Sequence, residues 1–157
     1  MVSKTGKLVT FRGKISGTVS GTYKPTRILC DDGDPKTAYR ILSFAAWAVD
    51  GSDFNNDGNM IIATEESGVT DYTAGFTDCS DNRQIGWAAW SNGGAFGDVT
   101  LTNGLVDPDN VVNENLYLAG SISSSGGDNI NYLITAEKIK INLTENLYTT
   151  VRNYSQG

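Results

Sequence analysis

The segment from Asn110 to Asn142 constrains the fold more than any other part of the chain. Apolar residues recur there at every second position, a period typical of a strand with one buried face. In the outbound half they are Val112, Leu116, Leu118 and Ile122. In the returning half they are Ile130, Tyr132, Ile134 and Ala136, followed on the other parity by Ile139 and Ile141. The pattern predicts two long strands, joined as a hairpin through the polar residues 124–128. The change of parity at residues 137–138 predicts a β-bulge, or a crossing from one sheet face to the other.

Short strand-like segments separated by turn residues fill most of the remaining chain. Residues 7–24 predict two short strands at a sheet edge, and residues 39–49, apolar on both parities, predict a strand covered on both faces. Further strands are predicted at residues 28–30, 60–63, 69–76, 84–90 and 98–102. This count of eight to ten strands predicts an all-β domain over residues 1–157. The fold class is a β-sandwich, and in particular a single jelly roll.

Only the end of the chain predicts a helix, over residues 143–153. Asn142 and Glu145 have the spacing of a capping box, in which each side chain bonds the backbone of the other residue. Leu143, Leu147 and Val151 fall on one face of this helix. A helix this short is marginal alone, so we expect Leu147 and Val151 to dock it onto the sandwich or onto a neighbouring subunit.

Composition narrows the classes of protein to which the chain can belong. It has 157 residues and no histidine, which excludes Ser-His-Asp and Cys-His mechanisms. The aspartates fall mostly in turns, where local hydrogen bonding explains them. We therefore expect no enzyme and no cofactor. No apolar run approaches the ~18 residues of a membrane span, and the N-terminus lacks the apolar core of a signal peptide. These features predict a protein made in the cytoplasm without a membrane partner, with Cys30 and Cys79 as reduced thiols.

Charge is distributed unevenly along the chain. Residues 1–30 hold six bases and no acid, whereas the other 127 residues hold six bases and all 18 acids, a net −12. The first 27 residues therefore form a basic arm or an edge hairpin. Its candidate contacts to nucleic acid are Lys4, Lys7, Arg12 and Lys14. The alternative is that these bases only protect the exposed edge of a sheet.

Residues 53–58 contain the one motif that suggests a metal. Asp53, Asn55 and Asp57 precede a glycine and match the first ligand positions of an EF-hand calcium loop. Thr64 stands at the twelfth position, where a bidentate carboxylate is required. Because Asn-Asp-Gly is also a common tight turn, we expect mainly a turn here and commit to no metal site.

The tryptophans have two interpretations. Trp47, Trp87 and Trp90 all lie in apolar runs, which favours packing in the core over a sugar-binding platform. Residues 44–48 and 84–90 both alternate large and small side chains. We therefore expect these two segments to approach each other closely in the core.

The last third of the chain resembles small coat proteins of icosahedral viruses. The resemblance lies in LVDPDNVVNENLYL at 105–118, INYLITAEK at 130–138 and VRNYSQ at 151–156. It implies a single jelly roll that assembles with copies of itself, and with other virion proteins, into a closed shell located in the virion. It also implies a basic N-terminal arm that faces the genome. The rival interpretation is a monomeric carbohydrate-binding β-sandwich module, with calcium as a candidate ligand.

Overall fold

The computed structural model describes residues 3–17, 25–49, 57–70, 77–92, 99–122 and 129–155. Eight strands and two helices lie within these ranges. In chain order they are β1 (Ser3–Ser16), β2 (Thr26–Leu29), β3 (Thr37–Ala48), β4 (Gly58–Ala63), α1 (Ser67–Thr70), β5 (Gln84–Asn92), β6 (Val99–Val106), β7 (Asn115–Ile122), β8 (Asn129–Lys140) and α2 (Leu143–Ser155). The predicted all-β sandwich with a C-terminal helix is confirmed.

The strands form two antiparallel sheets that face each other. One has the order β1-β8-β3, and the other has the order β2-β7-β4-β5-β6. The pairs β1–β8, β2–β7 and β4–β5 nest inside one another along the chain. β6 is hydrogen-bonded to β5 in the five-stranded sheet and also lies against β3 of the other sheet, since Gly104 abuts the Phe44 carbonyl so closely that a Cβ would not fit. This nested antiparallel connectivity is that of a jelly roll.

The prediction that residues 110–142 form a hairpin is wrong. β7 pairs with β2 and β4, whereas β8 pairs with β1 and β3, so the two strands belong to different sheets. They face each other across the core instead, where a Cβ on Gly120 would lie 2.5 Å from Ile130 Cδ1. Each of the two strands already has a hydrogen-bonded neighbour on both sides, so neither has a free edge with which to pair with the other. Period-two alternation fixes which side chains share a face, and it does not choose the pairing partner.

The change of parity in β8 is a crossing between two covered faces. Ile130 and Ile134 belong to the main core between the sheets, whereas Ile139 and Ile141 form a separate buried cluster with Ala38. The register shifts lie in the partner strands, between Lys4 and Lys7 and between Ile41 and Ser43. β8 is therefore buried towards the other sheet along most of its length and towards α2 at its end.

Three smaller predictions need correction. Two short strands were predicted within residues 7–24, but residues 7–16 belong to one long strand, β1, which begins at Ser3. Residues 18–24 lie outside the described ranges. Residues 69–70 of the strand predicted at 69–76 belong to α1 instead, and residues 71–76 lie outside the described ranges. β3 is not covered on both faces, because Leu42 and Ser43 are exposed and Trp47 is half-buried. The segment from β3 does approach β5, with Phe44 packed against Gly86 as expected.

Candidate functional site

All four predicted nucleic-acid contacts belong to β1, the edge strand of the three-stranded sheet. Arg12 and Lys14 are exposed and alternate with Val9, Phe11 and Ile15, which face the core. Lys7 is exposed at the opposite end of the strand, beside the register shift. The side chain of Lys4 is outside the described part of the chain. The structure thus separates the four bases into two groups at the two ends of β1.

Arg12 and Lys14 border an open groove on the outer face of the three-stranded sheet. In the register of the sheet, Lys14 lies opposite Asn131, and Asn131 lies opposite Trp47. Arg12 lies opposite Leu133 in the adjacent row. The groove that these five side chains border has a volume of about 530 Å³. We call this surface the basic groove.

Trp47 is the one residue of this groove that the sequence placed elsewhere. Trp90 is 3% exposed in the main core, and Trp87 packs on a second buried cluster with Nε1 donating to Gln84 Oε1 at 2.9 Å. Trp47 belongs to none of the buried clusters of the described residues. Parity held a weak signal, since Phe44, Ala46 and Ala48 share one face and Trp47 lies on the other. Because residues 39–49 are apolar at both sets of alternate positions, the sequence did not show which face of the strand would be covered.

The second surface of interest is helix α2. Leu143, Leu147 and Val151 recur every four residues and are 58%, 64% and 55% exposed. They form a continuous stripe along the helix, which we call the apolar stripe. The first of the two predicted alternatives, in which Leu147 and Val151 dock the helix onto the sandwich, is therefore wrong. Their docking onto a neighbouring subunit remains a prediction.

Polar contacts attach α2 to the body. Asn113 Nδ2 donates to Thr150 Oγ1 at 2.7 Å. The predicted capping box forms in full, with Glu145 N donating to Asn142 Oδ1 at 2.7 Å and Asn142 N donating to Glu145 Oε2 at 2.9 Å. A cleft of about 330 Å³ lies between the helix and Ile139. On the side of the helix towards the body, Thr144, Glu145, Tyr148 and Thr149 line this cleft, whereas the three aliphatic side chains of the apolar stripe are exposed.

The predicted calcium loop falls largely outside the described residues. Asp53 and Asn55 are not described, and Asp57 accepts a hydrogen bond from Ser91 Oγ at 2.9 Å. Across the described ranges, no three Cys, Asp or Glu side chains cluster as metal ligands would. The expectation of a turn stays a prediction.

The perturbed ionisable groups lie in turns, in the core and on β8, where burial raises the pKa of Tyr132 beside the basic groove. Burial raises the pKa of the Cys30 thiol to about 12. Cys30 and the exposed Cys79 are both free thiols. Lys138 Nζ lies 2.5 Å from Asp32 Oδ2, and this hydrogen bond lowers the pKa of Asp32 and raises that of Lys138. Arg83 pairs with Asp81 at 2.7 Å and lowers the pKa of that carboxyl. These contacts stabilise loops and lie apart from both surfaces.

Comparison of the chain with protein-family models, with curated proteins and with solved structures finds no match. Within the described ranges, neither helix has the length and apolar character that a bilayer crossing requires.

Proposed function

We propose that the chain is a structural subunit that assembles with copies of itself into a closed shell, the capsid of a virion. Jelly rolls occur in viral capsids and equally in lectins and enzymes, so the fold alone does not select this function. The observation that carries the proposal is the outward-facing apolar stripe on α2. The resemblance of the last third of the chain to viral coat proteins supports the same function. In this proposal the chain is made in the host cytoplasm and resides in the virion.

The apolar stripe favours a partner because exposure of aligned aliphatic side chains is unfavourable. Leu143, Leu147 and Val151 leave more than half of each side chain in water, and Tyr148 beside them is 71% exposed. Burial of apolar area contributes about 25 cal/mol per Å². Contiguous exposed patches of this kind mark interaction surfaces.

The stripe alone is too small to hold a stable assembly. A 13-residue helix is roughly 20 Å long, whereas a standard interface buries about 800 Å² on each partner. β1 supplies a second contact surface, since this 14-residue strand pairs only with β8 among the described strands. That contact uses the hydrogen-bonding edge of the β1 backbone and leaves Arg12 and Lys14 exposed on the outer face of the sheet. Two different surfaces that recognise each other make a heterologous contact, which closes into a ring or shell when the rotation permits.

The test is the size of the purified protein. Light scattering coupled to size-exclusion chromatography, with negative-stain microscopy, should show large closed particles. Leu147→Asp/Val151→Asp should reduce them to monomers that keep the melting temperature of the isolated subunit. Leu105→Asp is the matched control, because Leu105 is 71% exposed on β6, outside the stripe. Wild-type chain that remains a 16.8 kDa monomer at high concentration, across salt and pH, would refute the proposal.

A second candidate function is carbohydrate binding by a monomeric module. One observation favours it: Trp47 lies half-buried on an open sheet face, in a groove with a volume of about 530 Å³. Aromatic side chains at such positions stack on apolar sugar faces. A monomer whose tryptophan fluorescence responds to a neutral oligosaccharide would support this candidate over the shell.

A further inference from the structure

We infer that the basic groove binds single-stranded nucleic acid, with successive phosphates at Arg12 and Lys14 and a base stacked on Trp47. The groove belongs to one chain, so this inference is independent of whether the chain assembles. It differs from general attraction by a basic arm, because it assigns the contact to one end of β1. It also adds an aromatic ring from β3 to the two bases.

Charge on the outer face of the three-stranded sheet is concentrated at this groove. Arg40, a third base on that face, lies directly opposite Glu137. Arg12 lies opposite Leu133 and Lys14 opposite Asn131, so no acid faces either base in its row. Neither base has an ion pair or side-chain hydrogen bond with any described residue. Two adjacent exposed cations without a counter-charge favour a polyanionic ligand.

The spacing of these groups fits a nucleotide chain. Arg12 and Lys14 are alternate residues of a strand, so their Cα atoms are about 6.8 Å apart. This distance is close to that between consecutive phosphates of an extended single strand. Lys14 and Trp47 share a row across two strand spacings, roughly 9.6 Å. A nucleotide with its phosphate at Lys14 can therefore place its base at the indole of Trp47.

The state of Trp47 suits a stacking platform. The residue is half-buried, so its neighbours hold the ring while part of it reaches solvent. Its Nε1 has no hydrogen-bond partner among the described residues, in contrast to that of Trp87. Stacking on an aromatic ring requires an unpaired base, because a duplex covers its base faces. The groove should therefore prefer single strands over duplex and should show little sequence preference.

The test is fluorescence anisotropy with a labelled oligothymidylate of about 12 nucleotides, a length within the site sizes of single-strand binders. Arg12→Ala/Lys14→Ala should weaken binding at least tenfold. It should also reduce the slope of log affinity against log salt by about 1.4, or about 0.7 for each phosphate contact. Trp47→Leu should weaken binding by about 5- to 150-fold with the slope unchanged. Trp47→Phe, which retains an aromatic ring, should recover part of that loss.

The matched control is Lys7→Ala/Lys140→Ala, which removes two exposed charges from the opposite end of the same sheet. It should change affinity and slope less than the Arg12/Lys14 variant. Melting curves establish that each variant is folded, and quenching of wild-type tryptophan fluorescence by the oligonucleotide provides a readout without substitution. Size-exclusion chromatography of the same samples reports assembly separately.

Several results would overturn the inference. One is the absence of sub-millimolar binding of the oligonucleotide at about 50 mM salt, a concentration at which phosphate contacts are strong. Another is equal loss in the control and the groove variants. If Trp47→Leu binds as the wild type does, or if polyglutamate competes as well as the oligonucleotide, the groove attracts polyanions without stacking. Quenching by a neutral oligosaccharide alone would assign the groove to carbohydrate.

Discussion

The β7–β8 region and helix α2 carry equally regular apolar patterns, and the structure treats them in opposite ways. Leu118 and Ile134 are fully buried, whereas Leu147 and Val151 leave more than half of their side chains in solvent. In β7 and β8 each apolar face meets the apolar face of the opposite sheet. In α2 the side towards the body carries threonines and Tyr148 rather than the aliphatic stripe, and Thr150 accepts a hydrogen bond from Asn113.

The difference shows that periodicity and burial are separate properties. A period of two or 3.6 residues determines which side chains point the same way. Whether that face is covered depends on what the chain folding places opposite it. The apolar stripe of α2 is exposed in the structure of one chain, and this exposure is the basis of the proposed contact with a second copy.

The largest difference in the free energy of unfolding should come from truncating one apolar side chain to alanine in each of the two regions. Ile134→Ala empties a site in the main core and should lower the free energy of unfolding by about 2–5 kcal/mol. Leu147→Ala should change it by less than about 0.5 kcal/mol in a sample dilute enough to be monomeric. Urea denaturation measures both. An equal loss in the two variants would mean that α2 is buried within one chain.

Two asparagines in the segment before β7, one that contacts β3 and one that contacts α2, should also differ in the strength of their polar contacts. Asn110 is 3% exposed, accepts from Ile41 N at 2.7 Å and donates to Ile41 O at 2.9 Å. Asn110→Ala leaves that buried backbone pair unsatisfied and should cost about 1–3 kcal/mol. Asn113→Ala, which removes the contact to Thr150, should cost about 1 kcal/mol. A larger loss at Asn113 in urea denaturation would show that α2 is integral to the sandwich.

A substitution in the capping box should have a smaller effect on stability, and that effect should be confined to α2. Asn142→Ala should lower helix stability by about 0.5–2 kcal/mol. Amide hydrogen exchange should then accelerate in residues 143–155 and stay unchanged at Ile134 in β8. Glu145→Ala removes the reciprocal bond and should act in the same direction more weakly. Faster exchange throughout β8 would contradict the separation of the two regions.

The smallest effect is expected from the exposed ion pair between Asp32 and Lys138, at the end of β8. Lys138 lowers the pKa of Asp32 below its unfolded value, about 3.9. The pair therefore stabilises the fold above that pH, and its contribution is lost as the pH falls through the lowered folded pKa. The pKa of Lys138 is raised, so its contribution holds below about pH 10.4 and is lost as the pH rises through the folded value.

Melting temperatures measured from neutral pH down to about pH 2 test the acid side of this pair, because the ordinary carboxyl pKa of about 3.9 lies in that range and the folded pKa of Asp32 is lower. Asp32→Asn should melt slightly lower than the wild type near neutral pH, and the two curves should converge in acid. Glu66→Gln is the control, an exposed acid on another part of the surface. A difference that persists at the acid end would show that the effect of the substitution does not come from the ion pair with Lys138.

The sequence by itself determined the strand content, the sandwich class and the capping box of α2. These features depend on neighbours in the chain: alternation at residues 112–122, turn residues between strands, and the three-residue spacing of Asn142 and Glu145. It also predicted the change of face near Lys138, because the parity of the apolar residues changes there.

Only the tertiary structure decided which strands pair, which apolar faces are covered and which distant residues meet. β7 and β8 lie in different sheets because hydrogen-bonded neighbours are chosen among all strands at once. Trp47 borders the same groove as Arg12 and Lys14, on the other side of β8 and more than 30 residues away in the sequence, and no local pattern encodes that arrangement. The exposure of the apolar stripe has the same origin, since the free energy of burial depends on the surface opposite and not on the helix itself.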